Sequence, residues 1–197
     1  MRISGGAARG HTIEVPDAGD LRPSQEIVRE AIFNILHEVK GKLVLDLYAG
    51  TGVLGLEALS RGARHCDFVE KEKHVATSIR HNANHSLFQD KYDLFEEDAH
   101  TFVNREIFQR YDIIFLDPPY VEMPRDVLFL LPRFLAPGGV LIYLHGKNMV
   151  LDTQADREML GEKLKVVDNR RYGATQVTFL MLRQADHTLV SQTVNEE

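Results

Sequence analysis

Cysteine is nearly missing from these 197 residues: Cys66 stands alone, which excludes an intramolecular disulfide and a cysteine-built zinc site. It lies in His65-Cys66-Asp67-Phe68-Val69-Glu70, which reads as a strand, where a small buried hydrophobe is expected. Long apolar runs are absent too, so no segment is expected to span a bilayer, and Met1-Arg2-Ile3-Ser4-Gly5-Gly6 lacks the apolar stretch of a signal peptide. A cytoplasmic location follows as the expectation. Basic charge is also short, with 23 lysines and arginines against 29 acids and a formal net charge of −6. That balance speaks mildly against nucleic acid, because phosphate contacts favour basic proteins. Arg2, Arg9, Arg22, Arg29, Arg170 and Arg171 would form a local basic face only if the fold gathers them.

What is present is a hydrophobic content of 44%, ample for the core of a single domain. Residues 1–22 are glycine-rich, with Ile3 and Thr12–Val15 as strands of a small hairpin and Pro16-Asp17-Ala18-Gly19-Asp20 as a turn. From Pro23 to Val39, Ile27, Val28, Ala31, Ile32, Ile35 and Leu36 recur at helical spacing. Pro23 suits the first turn, and Glu26 complements the positive end of the helix dipole. After Gly41, strands are expected at 43–48, 65–70, 93–97, 111–117 and 140–145. Helices are expected at 52–60, 71–87, 99–108, 124–136 and 155–161. The segments 164–171 and 175–182 flank Tyr172-Gly173-Ala174 and should pair as an antiparallel hairpin. The reading divides the chain into an N-terminal extension (1–22), one α/β domain (23–183) and a loose polar tail (184–197).

Repeated β-α-β units mean a Rossmann-like, mostly parallel sheet of seven strands with helices on both faces and a C-terminal antiparallel hairpin. Ligands of such sheets sit beyond the carboxyl ends of the strands, where strand order reverses. Gly50-x-Gly52-x-x-Gly55 opens a helix there, and Glu70 stands about 20 residues on, as in a dinucleotide site. Asp46, four residues before the first glycine, opposes an NAD reading because it would repel a pyrophosphate. S-adenosylmethionine carries no phosphate but bears an ammonium and a sulfonium, which an acid favours. Expected cofactor contacts are Asp46, Ala49, Gly50 and Gly52 on the first loop, Glu70 on the second, and Asp98 with Ala99 on the third. Asp98 reads equally well as a helix N-cap.

Asp117-Pro118-Pro119-Tyr120 closes another strand. An amine on an aromatic ring is a poor nucleophile because its lone pair is delocalised. The Asp117 carboxylate and Pro118 carbonyl offer two adjacent acceptors for its N–H groups, the prolines stiffen them, and Tyr120 offers a ring for stacking. His81 and His85 are spaced i, i+4 but lack the glutamate of a zincin motif, so they read as surface histidines, and His145 as structural. No metal is expected.

With these residues in hand, the chain resembles the class I S-adenosylmethionine-dependent methyltransferases, and more narrowly the bacterial RsmD family. The narrower resemblance rests on Arg2-Ile3-Ser4-Gly5-Gly6-Ala7-Ala8-Arg9-Gly10, on Arg22-Pro23-Ser24 with Val28–Leu36, and on Arg171-Tyr172-Gly173. The segments Asp46–Gly52, Leu56–Ala63 and Asp117–Tyr120 complete it. The resemblance implies methylation of a guanine N2 in 16S ribosomal RNA within an assembling small subunit, by a monomer. Under it, Arg2, Arg9, Arg22, Arg29 and Arg171 are RNA contacts, and Asp117, Pro118 and Tyr120 serve catalysis. His11 departs from the family, which usually has a further basic residue there. DNA amino-methylation is the rival reading, although little of the chain is left over for a separate target-recognition region.

Overall fold

The computed structural model describes residues 1–15, 23–85, 88–119, 124–146, 158 and 161–183. The Pro16–Asp20 turn, Arg22, Tyr120, most of the helix expected at 155–161 and the tail from 184 lie outside them.

The strands are β1 (Leu43–Leu47), β2 (His65–Val69), β3 (Tyr92–Phe95), β4 (Tyr111–Leu116), β5 (Leu135–Gly146), β6 (Leu164–Tyr172) and β7 (Thr175–Leu182). They form one sheet in the order β3-β2-β1-β4-β5-β7-β6. The first five run parallel, and β7 inserts antiparallel between β5 and β6. Side chains alternate across this sheet, and each face has its own core. Val44, Ile113 and Phe115 belong to one cluster; Leu45, Leu47, Ile114 and Leu116 belong to the other. The first cluster also holds residues of α1 (Pro23–Leu36), α2 (Val53–Ser60) and α3 (Lys73–His85). The second holds those of α4 (Ala99–Val103) and α5 (Arg125–Leu130). The expected helices on both faces are therefore present.

Two expected helices are shorter than the sequence pattern suggests. α4 stops at Asn104, whose side-chain amide donates to the His100 carbonyl at 2.8 Å. Beyond it Phe108 is 88% exposed, so a longer helix would have had no core for that side chain. α5 gives way to a 3-10 turn at Leu131–Phe134, where Pro132 brings no N–H to an α-helical ladder. Leu135 then already pairs with Tyr111 of β4.

α1 departs from its expected apolar face. Ile27 is 59% exposed, whereas Arg29 is 2% exposed. The cause is Glu57 of α2, fully buried, which lies 3.3 Å from Arg29 Nε. The second Glu57 oxygen binds Arg61 Nε at 2.8 Å, and the Ser4 backbone N–H and hydroxyl each donate to the carboxylate at 2.8 Å. Arg29 also donates to the Arg2 carbonyl at 2.6 Å. A buried carboxylate with this many donors is fully solvated by protein.

The same network seats the N-terminal segment. Arg2 bridges Thr12 in the expected hairpin sense, and Ile3, Ala8 and Ile13 are core residues rather than parts of a detached extension. Ser60 holds it further, its carbonyl accepting from Ala7 N–H at 2.7 Å and its hydroxyl from Ala8 N–H at 2.9 Å.

Candidate active site

Strand order reverses at β1, between β2 and β4, and a cavity of about 520 Å³ opens beyond the carboxyl ends of these strands. Its polar wall comes from the loops that follow them: Asp46, Ala49 and Gly50 after β1, Glu70 after β2, Asp98 and Ala99 after β3, and Asp117 and Pro118 after β4.

The first loop bends sharply. Tyr48 carries φ +61° and Gly50 and Gly52 carry φ +54° and +74°. For Tyr48 that conformation costs about 1–2 kcal/mol, a strain located on the cavity wall. Gly52 does not itself line the cavity. It is the N-cap of α2, donates its N–H to the Ala49 carbonyl at 2.7 Å, and packs toward Ile79 and Phe68. Its expected direct cofactor contact becomes a role in shaping the turn. Gly55 lets α2 approach β2, since a Cβ there would lie 2.3 Å from Phe68 Cε1 and 2.6 Å from Cys66 Sγ. Cys66 is buried, as expected.

Asp46 is 1% exposed. Its Oδ2 accepts from the Gly55 N–H at 2.9 Å, while Oδ1 is buried without a hydrogen-bond donor. Burial pushes its carboxyl well above the usual carboxylate range; the Gly55 bond opposes this, and the negative neighbours Asp117 and Glu70 add to it. Glu70 ties two loops together, taking the Gly50 N–H at 2.8 Å and the Glu72 N–H at 2.9 Å. Each oxygen keeps a further lone pair for a ligand. Asp98 fulfils both of its readings: it caps α4 through the His100 N–H at 2.8 Å, and it stands on the cavity wall. Burial pushes Asp117 up to about 7.

The cavity thus collects every expected cofactor residue except Gly52, together with Asp117 and Pro118, while Tyr120 lies outside the described residues. The expected RNA contacts separate. Arg2 and Arg9 are exposed on the N-terminal hairpin and Arg171 is exposed on the β6–β7 hairpin. Arg29 is withdrawn from that set, because its guanidinium is buried against Glu57. His145 is structural as expected, buried with Nε2 2.9 Å from the Thr178 hydroxyl. Sequence reasoning missed Met1, Val15 and Thr175 on the cavity wall. No local signal marks them, since they arrive through the hairpin docking and the β5–β7 pairing. Lys71 and Glu72, also on the wall, were legible as the residues directly after a strand end.

The family described as "Conserved hypothetical protein 95" matches residues 1–181. YlbH of Bacillus subtilis (strain 168) is 31% identical over 191 residues, covering 93% of this chain and all of that protein. The Haemophilus influenzae protein named "Ribosomal RNA small subunit methyltransferase D" is 30% identical over 179 residues, covering 87% and 93%. Among solved structures, yhhF from Escherichia coli superposes with a TM-score of 0.80 at 25% identity, covering 94% of this chain and 99% of that one.

Proposed function

This chain belongs to the family described as Conserved hypothetical protein 95, and on that premise we propose that it is an RsmD-type methyltransferase. In this reading it moves a methyl group from S-adenosylmethionine to the exocyclic N2 amine of a guanine in 16S ribosomal RNA. The name of the Haemophilus influenzae relative supports ribosomal RNA of the small subunit as the substrate.

The observation that carries the cofactor is the acidic wall around the glycine turn, above all Asp46 with its unpartnered buried Oδ1. A dinucleotide would bring its pyrophosphate among Asp46, Glu70, Asp98 and Asp117, where like charges repel it. An ammonium and a sulfonium fit the same wall. Asp46 is assigned to the cationic methionine end, Glu70 to the ribose hydroxyls, and Asp98 with Ala99 to the adenine. S-adenosylmethionine supplies an electrophilic methyl group on a sulfonium.

Asp117 and the Pro118 carbonyl accept the two N–H groups of the amine and turn its lone pair toward that methyl group. This is catalysis by orientation. Asp117 accepts only when ionised, and its raised pKa makes that state sensitive to pH near neutrality. The guanine must leave its stack to enter the cavity, and Tyr120 is assigned to hold the ring. Arg2, Arg9, Arg22 and Arg171 are assigned to phosphates. Direct displacement at a methyl carbon requires no metal, and one domain suffices for it in a monomer.

The test is transfer of tritiated methyl from S-adenosylmethionine into small-subunit particles, naked 16S RNA and DNA. Label recovered as N2-methylguanosine from the small-subunit substrate is expected, with loss in Asp117→Ala. Label in DNA, or on another nucleoside, overturns the reading.

A further inference from the structure

At the amino-terminal ends of the parallel strands, the far end of the sheet from the cavity, three side chains of metal-ligand type converge. His65 opens β2, and Asp67, two residues on, projects from the same face. Asp93 of β3 lies directly across from Asp67 in the strand register. His65 Nε2 is 3.1 Å from Asp67 Oδ1 and 3.1 Å from Asp93 Oδ2. The three ligand atoms lie within 4.8 Å of one another.

A second observation concerns Asp67 alone, which is 2% exposed. Its Oδ2 is well supplied, taking the Tyr111 hydroxyl at 2.6 Å and the Gln109 amide at 2.5 Å. Its Oδ1 is buried with no hydrogen-bond donor. One imidazole nitrogen carries at most one proton, and its hydrogen bond goes to Asp93. The buried Oδ1 is therefore aimed, without a donor, at the point the other two ligand atoms share. Two carboxylates directly opposite on neighbouring strands also repel unless a cation lies between them.

We propose that His65, Asp67 and Asp93 bind one divalent transition-metal ion of the zinc type through Nε2, Oδ1 and Oδ2. One imidazole with two carboxylates is a donor set for zinc or cobalt, whereas magnesium and calcium take oxygen ligands. Bonds of about 2.1 Å place neighbouring ligands roughly 3.0–3.4 Å apart, and both measured separations from Nε2, 3.1 Å, fall in that range. The two carboxylates neutralise the ion, and water completes its shell on the side of Asp93, whose side chain is 70% exposed. Since β3 is an edge strand, the ion acts as a clip between the edge and the sheet.

The experiment titrates cobalt(II) into the untagged chain, following its visible d–d absorption, and then displaces it with zinc. The expected result is one equivalent bound, with affinity lowered at least ~10-fold in both His65→Ala and Asp93→Asn. Zinc should raise the thermal midpoint of the wild type and leave those variants unmoved. Both changes are at partly or largely exposed side chains, so the variants keep the fold, which circular dichroism checks. His81 and His85, stacked with ring centroids 5.2 Å apart, are the competing locus. Cobalt binding that His81→Ala removes and His65→Ala leaves intact overturns the proposal. So does the lack of any saturable cobalt band, the outcome if a proton alone bridges the carboxylates.

Discussion

The proton on Asp117 sets the pH dependence of the proposed reaction. Burial raises this carboxyl from 3.8 to about 7, so the group is half ionised near neutral pH. Amine orientation uses the ionised form, and kcat/KM reports the free enzyme. With an apparent pKa of about 7, roughly nine-tenths of the molecules carry the carboxylate at pH 8 and roughly one-tenth at pH 6. The expected fall in kcat/KM between those values is about tenfold, approaching a slope of one decade per pH unit further down. Stability runs the opposite way. A carboxyl whose folded pKa is raised gives its full stabilisation below the unfolded value, and loses it as pH rises through about 7. The native state is therefore most active on the side of the titration where this group stabilises it least. The assay is single-turnover methylation of the small-subunit substrate from pH 5.5 to 8.5, beside Asp117→Asn. The asparagine keeps the shape and one acceptor but cannot titrate, so its profile should be flat over this limb and its rate at least ~10-fold lower at pH 8. A flat wild-type profile, or an unchanged limb in Asp117→Asn, refutes the assignment.

Glu70→Ala removes the acceptor of the Gly50 N–H as well as the proposed ribose contact, and should weaken S-adenosylmethionine binding by about 1.5–3 kcal/mol; unchanged affinity by calorimetry in a folded variant rejects that contact. Glu57→Ala strands the buried Arg29 guanidinium. The expected loss is about 3–5 kcal/mol, roughly 6–20 °C in Tm for a chain of this size, and a shift of a degree or less would show that the network contributes little. Arg2→Glu with Arg9→Glu changes exposed charges on the N-terminal hairpin. It should depress methylation of the small-subunit substrate and reduce the salt slope of RNA binding by roughly 0.7–0.9 per lost phosphate contact, with Tm hardly moved; normal methylation sends the search for the RNA surface to Arg170 and Arg171.

Strands buried on both faces write themselves as apolar runs, which is why Leu43–Leu47, Tyr111–Leu116 and the C-terminal hairpin were legible from the sequence. The site followed for the same reason, since a parallel sheet places strand-end residues such as Asp46, Glu70 and Asp117 together. What periodicity lacks is knowledge of partners far along the chain. α1 has a plausible apolar face that includes Ile27, yet Arg29 is the residue turned inward, because its counter-charge Glu57 sits on another helix. The overlong readings at 99–108 and 124–136 have a related origin. A helical pattern does not reveal where the core beneath it ends, and Phe108 has none. Nor does any spacing rule find Asp67 and Asp93, which become neighbours only through strand register.

The docking of the first fifteen residues bears on when the cavity exists at all. Ser4 and Ala8 bind α2 across 53 and 52 positions of sequence, so the segment made first can be seated only after the helix made much later has formed. Closing a loop of that length has an entropic cost of its own, and the sheet gains nothing from it. Release of the hairpin is consequently a cheaper opening than loss of a strand, and it takes Met1 and Val15 out of the cavity wall. In native-state hydrogen exchange the amides of Ala7 and Ala8 should exchange as one unit, ahead of β1 and β4. The cavity should therefore have a lifetime shorter than that of the fold that carries it.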